Sequence, residues 1–206
     1  IMRHRKKGRK LGRSPKHQRA LLRSLASALF LTERDAEFDD NKPKVPGRMI
    51  TTISKAKEVR PLVEKCITVA RCGLAAEKAA GEFGTNADRG SDSWKSWRKS
   101  DRWAKWNAAI SPSIAARRRC LQLLGNKQAV AVLFESVAPR FVDRPGGYTR
   151  ILRLAKPRLG DAGTRGGLRR TRVAEAPDGA ATAKHTAVPN GLIHNSFHRP
   201  SEHGRQ

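Results

Sequence analysis

Arg144-Pro145-Gly146-Gly147-Tyr148-Thr149-Arg150-Ile151-Leu152-Arg153-Leu154 is the stretch whose reading decides the fold. Pro followed by two glycines is a turn, because Pro holds φ at about −65° and Gly accepts backbone conformations that other residues avoid. The run from Tyr148 to Leu154 then reads as a strand. Working outward, Arg48 to Ile53 offers a second strand, β-branched at Ile50, Thr51, Thr52 and Ile53. Four helices surround them. Ser14 caps the first, with Pro15 at its first helical position, and Leu21, Leu25 and Leu29 mark its apolar stripe to about Leu31. Ser54 caps a second to about Arg71, in which Pro61 predicts a bend or a later true start. Pro112-Ser113 opens a third, Ile114 to Leu124, and Asn126 caps a fourth, Lys127 to Val137, which Pro139 stops. Strands among about four helices make the fold class α/β, in its α+β form.

The charge balance says more about partners than the fold does. The 206 residues carry 43 Lys and Arg against 18 Asp and Glu, a formal net charge of +25. A chain that far from neutrality repels itself unless a polyanion neutralises it, and nucleic acid is the leading candidate. Mean hydropathy is −0.62 and 38% of residues are hydrophobic, so the compact core is expected to be smaller than the chain. The longest apolar stretch, Leu25 to Leu31, is far short of the ~20 residues of a membrane span. The first nineteen residues hold nine Lys and Arg and no acid, with no secretory apolar run after them. A mitochondrial presequence shares that bias, and the motifs below weigh against it. Cys66, Cys72 and Cys120 form no C-x-x-C, which fits a reducing compartment better than a disulfide framework or a zinc site. Cys66 is expected as a small buried hydrophobe.

Three segments stand apart from the helices and strands. Met2-Arg3-His4-Arg5-Lys6-Lys7-Gly8-Arg9-Lys10-Leu11-Gly12-Arg13 is a basic arm (residues 1–13) with no apolar content to fold around, of the kind that becomes ordered on nucleic acid. Residues 33–47 are an acidic loop, held away from a polyanion or folded onto the protein's own cations. Residues 75–112 carry all four tryptophans, Trp94, Trp97, Trp103 and Trp106. At about 100° per residue these do not share one helical stripe, so two short helical pieces meeting near Ser100-Asp101 are expected, unless the rings are used separately. Stacking on unpaired bases is one use of such rings, and packing of the segment onto its own domain is the commoner one.

No catalytic constellation stands out. Phosphate-cradling glycine loops, the G-x-S-x-G nucleophile elbow and paired acids beside a histidine are all missing from the sequence. His194, His198 and His203 lack the Cys or carboxylate companions of a metal site, and no cofactor is expected. Arg outnumbers Lys 27 to 16. Guanidinium binds phosphate bidentately and stacks on bases, which suits a structured RNA. A DNA-binding chromatin or regulatory protein is the alternative, without a helix-turn-helix or zinc pattern to support it. An RNA-modifying enzyme lacks its acid/base pair.

The basic arm from Met2 to Arg13 resembles the start of the bacterial large-ribosomal-subunit protein L-seventeen family. Ile50-Thr51-Thr52 leading into Lys55-Ala56-Lys57-Glu58-Val59-Arg60, Leu133-Phe134 with Ala138-Pro139-Arg140-Phe141, and Arg144 to Leu152 are similar to it in the same order. The resemblance implies a non-catalytic ribosomal component, helices packed on a small sheet in residues 14–163. It also implies an arm reaching into large-subunit rRNA near the exit of the peptide tunnel, with the small ribosomal protein L-thirty-two as a neighbour. RNA-binding candidates on this reading are Arg3, His4, Arg5, Lys6, Lys7, Arg9, Lys10 and Arg13 of the arm, and Arg19 and Arg23 of the first helix. Lys55, Lys57, Arg117, Arg118, Arg140 and Arg144 follow, then Gly146 and Gly147 as a turn aiming Tyr148, Arg150 and Arg153 at partners. For Tyr148, packing in the core is the equal alternative.

The sequence departs from the family at 33–47 and 75–112, which look like insertions, and most at the end. An apolar closing strand is expected after Gly160-Asp161-Ala162, and Thr164-Arg165-Gly166-Gly167-Leu168-Arg169-Arg170 stands there instead. Its loss would leave the Tyr148 strand with an open edge. Residues 164–206 are therefore expected to be a disordered tail, the product of a frameshift or a sequencing error. Ile1 ahead of Met2 similarly suggests Met2 as the true first residue.

Overall fold

The computed structural model describes residues 8–36 and 39–171. In chain order the elements are α1 (Pro15–Leu31), β1 (Arg48–Thr52), α2 (Ile53–Gly81), α3 (Asp92–Lys99), α4 (Asp101–Leu124), α5 (Lys127–Val132), β2 (Thr149–Arg153) and β3 (Arg165–Arg170). A π-helical turn over Leu133–Val137 and a 3-10 turn over Ala138–Phe141 follow α5. The three strands form one antiparallel sheet in the order β1-β3-β2. Five helices with a small antiparallel sheet make this an α+β fold, as the sequence predicts.

Helix α2 is the hub. Its buried row Ala56, Val59, Val63, Cys66, Ile67 and Ala70 has the 3.6-residue period of a core-facing stripe, and the helix touches the sheet, α1 and α4. Helix α4 approaches it closely at Gly73, where an added Cβ would stand 2.9 Å from Ala116 Cβ and 3.0 Å from the Phe134 ring. Further along the same crossing the Cys120 thiol reaches the Cys66 carbonyl at 3.7 Å. Helix α1 starts on the cap the sequence promises: the Ser14 side chain accepts from His17 N–H, with Pro15 following.

Several boundaries differ from the sequence reading. The second helix starts at Ile53 and runs past Arg71 to Gly81. Pro61 lies inside it on the exposed side, one turn after the equally exposed Lys57 whose carbonyl it leaves without a donor. Pro112 does not open a helix; it lies within α4, which begins at Asp101 and carries Pro112 on its exposed face. The expected junction near Ser100-Asp101 is there, with α3 ending at Lys99. The regular part of the fourth helix ends at Val132, and Pro139 sits inside the following 3-10 turn.

The largest correction concerns the end of the sheet. Arg165–Arg170 is a strand, and the central one: it pairs with β1 on one side and β2 on the other. Leu168 is 0% exposed in the core, a burial that stabilises by roughly 1.5–3 kcal/mol. Sequence alone missed β3 because it carries one large apolar residue and two glycines. The glycines have a reason. A Cβ on Gly166 would meet Ile53 Cγ1 at 3.1 Å and Ile151 Cγ2 at 3.3 Å, so the start of α2 can close over the sheet only there. The expectation of a tail from Thr164, and of an open edge beside β2 on its β3 side, is overturned for the described residues. Residues beyond Thr171, including His194, His198 and His203, lie outside them.

Candidate nucleic-acid interface

The described part of the arm is docked on the helices. Arg9 pairs with Glu58 of α2 at 3.6 Å, and the Gln18 side chain donates to the Arg9 carbonyl. Arg13 contacts the His17 ring at 2.8 Å. Gly8 and Gly12 have positive φ, which lets the arm turn back at this point. Lys10 remains exposed. Arg3, His4, Arg5, Lys6 and Lys7 lie outside the described residues.

Lys16, Arg19 and Arg23 form one exposed stripe of α1 and line an open groove closed on its far side by Leu124, Gly125 and Asn126. Gly125 takes φ +72°, the left-handed end of α4, and the Asn126 side chain caps α5. Ser27 ties the groove floor together by donating to the Leu124 carbonyl at 3.0 Å. A second hollow lies where α2 begins, lined by Arg9, Thr52, Ser54, Arg153 and Asp161. Lys55 and Lys57 belong to the same first turns of α2. Asp161 is held by Arg158, whose hydrogen bond keeps the carboxyl well below its usual range.

Other predicted cations are engaged by groups of the protein itself. Arg117 pairs with Glu77 at 3.4 Å and lies 4.4 Å over the Phe134 ring. Arg140 pairs with Glu33 at 3.3 Å. The Arg144 side chain donates to the Gly146 carbonyl at 3.1 Å, which braces the Gly146-Gly147 turn, and its own carbonyl accepts from Arg71. Arg118 and Arg150 are exposed and form no ion pair among the described residues.

Tyr148 is a correction. It is 1% exposed and packs edge-on against Phe141 at 5.2 Å, so the turn delivers its ring to the core and not to a partner. Glu64 of α2 fixes this geometry: its carboxylate accepts from Tyr148 N–H at 3.3 Å, Thr149 N–H at 3.0 Å and the Thr149 hydroxyl at 2.6 Å.

The tryptophans pack on their own segment. Trp97 and Trp106 meet edge to face at 5.6 Å, and Trp97 Nε1 donates to the Phe83 carbonyl at 3.1 Å. Arg98 lies near the rings of both Trp94 and Trp103, at 5.1 and 5.8 Å. The acidic loop likewise folds onto cations of the protein itself. Glu33 receives Arg140 and Arg170, and Asp39 receives Arg34 at 2.7 Å. Burial pushes the Arg170 guanidinium below its ordinary pKa, against the pull of Glu33.

The sequence pattern of the family described as Ribosomal protein L17 matches residues 21–168, from α1 through to the buried leucine of β3. The chain belongs to the ribosomal protein L17 family. It is 66% identical over 164 residues to the large ribosomal subunit protein bL17 of Rhodopirellula baltica, covering 80% of this chain and 78% of the relative. The bL17 proteins of Nitratidesulfovibrio vulgaris and Thermomicrobium roseum are 33% and 35% identical, over 87% and 76% of this chain and 96% and 89% of theirs. The family is one of ribosomal structural proteins and not of enzymes. Among the described residues no helix is long and apolar enough to cross a membrane. The match reaching Leu168 agrees with the strand seen there and removes the reading of Arg165 to Leu168 as out of frame.

Cations that sequence reasoning left out are Arg48 and Arg169, which continue the row from Arg150 across the sheet, with Arg169 in the middle. Their signal was the register of β3, invisible until that segment is recognised as a strand.

Proposed function

We propose that this ribosomal protein is a constituent of the large subunit that binds rRNA through its basic arm and the α1 stripe, near the exit of the peptide tunnel and beside L-thirty-two. The carrying observation is the exposed stripe of Lys16, Arg19 and Arg23 along the open groove, continuous in sequence with the arm. Groups that form no internal ion pair are those a phosphate backbone can recruit, whereas Arg117 and Arg140 already have carboxylates. Family membership supports the ribosomal setting. The tunnel-exit position and the L-thirty-two neighbour follow from the family resemblance of the arm.

Binding of this kind is salt-sensitive, because each neutralised phosphate releases counterions. The full chain is expected to co-sediment with large subunits at low salt and to leave them only at high salt. It is also expected to prefer rRNA over duplex DNA in competition. A chain that stays in the soluble fraction at low salt, or that prefers duplex DNA, contradicts the reading.

A further inference from the structure

The sheet has two faces, and only one is covered by described residues. Met49, Leu168 and Ile151 form a cross-strand row packed into the core, so their neighbours along each strand point the other way. Register fixes what that outer face carries. Arg169 of β3 pairs with Arg48 of β1 and with Arg150 of β2, an unbroken row of three arginines across the sheet. Two residues along β3, Gly167 stands between Ile50 and Leu152, whose side chains are 49% and 43% exposed. A Cβ built on Gly167 meets nothing nearer than the Leu152 carbonyl at 4.0 Å. The guanidinium row therefore borders two exposed aliphatic side chains, Ile50 and Leu152, with no side chain between them at the buried Gly167.

Among the described residues no carboxylate answers that row. Arg48, Arg150 and Arg169 form no ion pair among the described residues, and the three strands contain no Asp or Glu. Like charges directly opposite one another destabilise a sheet, so the arrangement costs stability until an external anion arrives. Residues 172–206 carry four Lys and Arg against three Asp and Glu, so that segment brings no net negative charge to the row. Strands lie about 4.8 Å apart, which sets the three guanidinia along a line of roughly 10 Å. Each has the planar fork that takes a phosphate through two N–H groups. The exposed aliphatic pair beside them suits the sugar-lined minor groove that RNA helices present.

We propose that the outer face of the sheet is a second RNA-docking surface, with Arg48, Arg150 and Arg169 on the phosphodiester backbone and ribose seated over Gly167 between Ile50 and Leu152. This rests on the rRNA-binding reading above and adds to it a face separate from the arm and α1. Binding of the full chain to a large-subunit rRNA transcript is measured across a salt series, for the natural chain and for Arg48→Gln/Arg150→Gln/Arg169→Gln, with circular dichroism as the check on folding. At about 0.7–0.9 per neutralised phosphate, loss of three contacts lowers the slope of log affinity on log salt by about 2 to 3. The single variant Arg150→Gln, on an edge strand, should lower it by about 1 and serves if the triple variant folds poorly. In assembled subunits, a benzoylphenylalanine photocrosslinker replacing Leu152 should attach to rRNA. An unchanged slope in a folded variant, or crosslinks to protein alone, overturns the sheet-face assignment and leaves rRNA binding through the arm standing. Failure of the natural chain to bind the transcript overturns both.

Discussion

Glu33, just past the end of α1, and Arg170, the last residue of β3, form an ion pair across 137 residues of sequence, and the Glu33 carboxylate is 5% exposed. Arg140 donates to the same oxygen, and Gly47 takes φ +67° beside the carboxylate, where a Cβ would also stand 2.9 Å from Glu33 Oε1. The pair thus locks the first helix to the central strand. Removing one partner leaves the other charge buried and unanswered, which typically costs about 3–5 kcal/mol. Glu33→Ala should lower stability by about 3 kcal/mol in denaturant titration, at the low end because Arg140 is half solvated. Replacing both, as Glu33→Leu/Arg170→Met, should recover most of that loss. A double variant no better than the single one would show that the pair is not the source of the effect.

Tyr148 separates a structural role from an RNA-binding one. Its hydroxyl is buried and has no hydrogen-bond partner among the described residues, while its ring fills the core against Phe141. Tyr148→Phe should therefore leave stability unchanged or slightly raised, and rRNA affinity unchanged. Tyr148→Ala should cost about 3–5 kcal/mol, the range for truncating a buried aromatic. Lost rRNA binding in a fully folded Tyr148→Phe protein would restore the partner-facing role.

The cysteines carry a pH signature. Burial pushes the Cys66 thiol up to about 12 and the Cys120 thiol to about 11, from an ordinary value of 9.0, while Cys72 is exposed. At neutral pH the two buried thiols are protonated in both folded and unfolded chains and cost nothing. Above about pH 9 the unfolded chain ionises first, so the stability tied to the protonated thiols is lost as pH rises through 11 and 12. The denaturation midpoint should accordingly fall more steeply between pH 9 and 11 in the natural chain than in Cys66→Ala/Cys120→Ala. A thiol reagent at pH 8 should modify one cysteine in the folded protein and three after denaturation. Prompt labelling of all three under native conditions would contradict the burial.

What the sequence made legible follows from how local each signal was. Ser14-Pro15 and Asn126 announced their helices because a cap is a contact between near neighbours, and both caps are formed. The strands at Ile50 and Ile151 were announced by β-branched and aliphatic runs. Helix limits are less legible: Pro61 predicts a bend or a later start and Pro112 a beginning, and both lie inside longer helices. Tertiary contact decides there: each proline lies on an exposed side of a helix whose other side is buried. Of the binding candidates, exposure could be guessed for Arg19, Arg23 and Arg150, but not the capture of Arg117 by Glu77 or of Arg140 by Glu33. Those partners are 40 and 107 residues away. Strand β3 was illegible because its identity rests on what packs over a glycine, and a glycine carries no sign of its neighbours.

That makes the adjacent pair Gly166 and Gly167 the sharpest test of the fold. They are consecutive residues of one central strand, so their missing side chains would point to opposite faces of the sheet. A Cβ on Gly166 runs into Ile53 and Ile151 at 3.1 and 3.3 Å; one on Gly167, on the outer face, meets only the Leu152 carbonyl at 4.0 Å, an ordinary contact distance. Gly166→Val should therefore lower stability by about 1–3 kcal/mol through overpacking. Gly167→Val should be neutral or mildly stabilising, since a β-branched residue suits a strand better than glycine does. Thermal or denaturant unfolding of the two variants decides it. Equal tolerance at both positions would mean that the segment is not the buried centre of the sheet, and the register that aligns Arg48, Arg169 and Arg150 would fall with it.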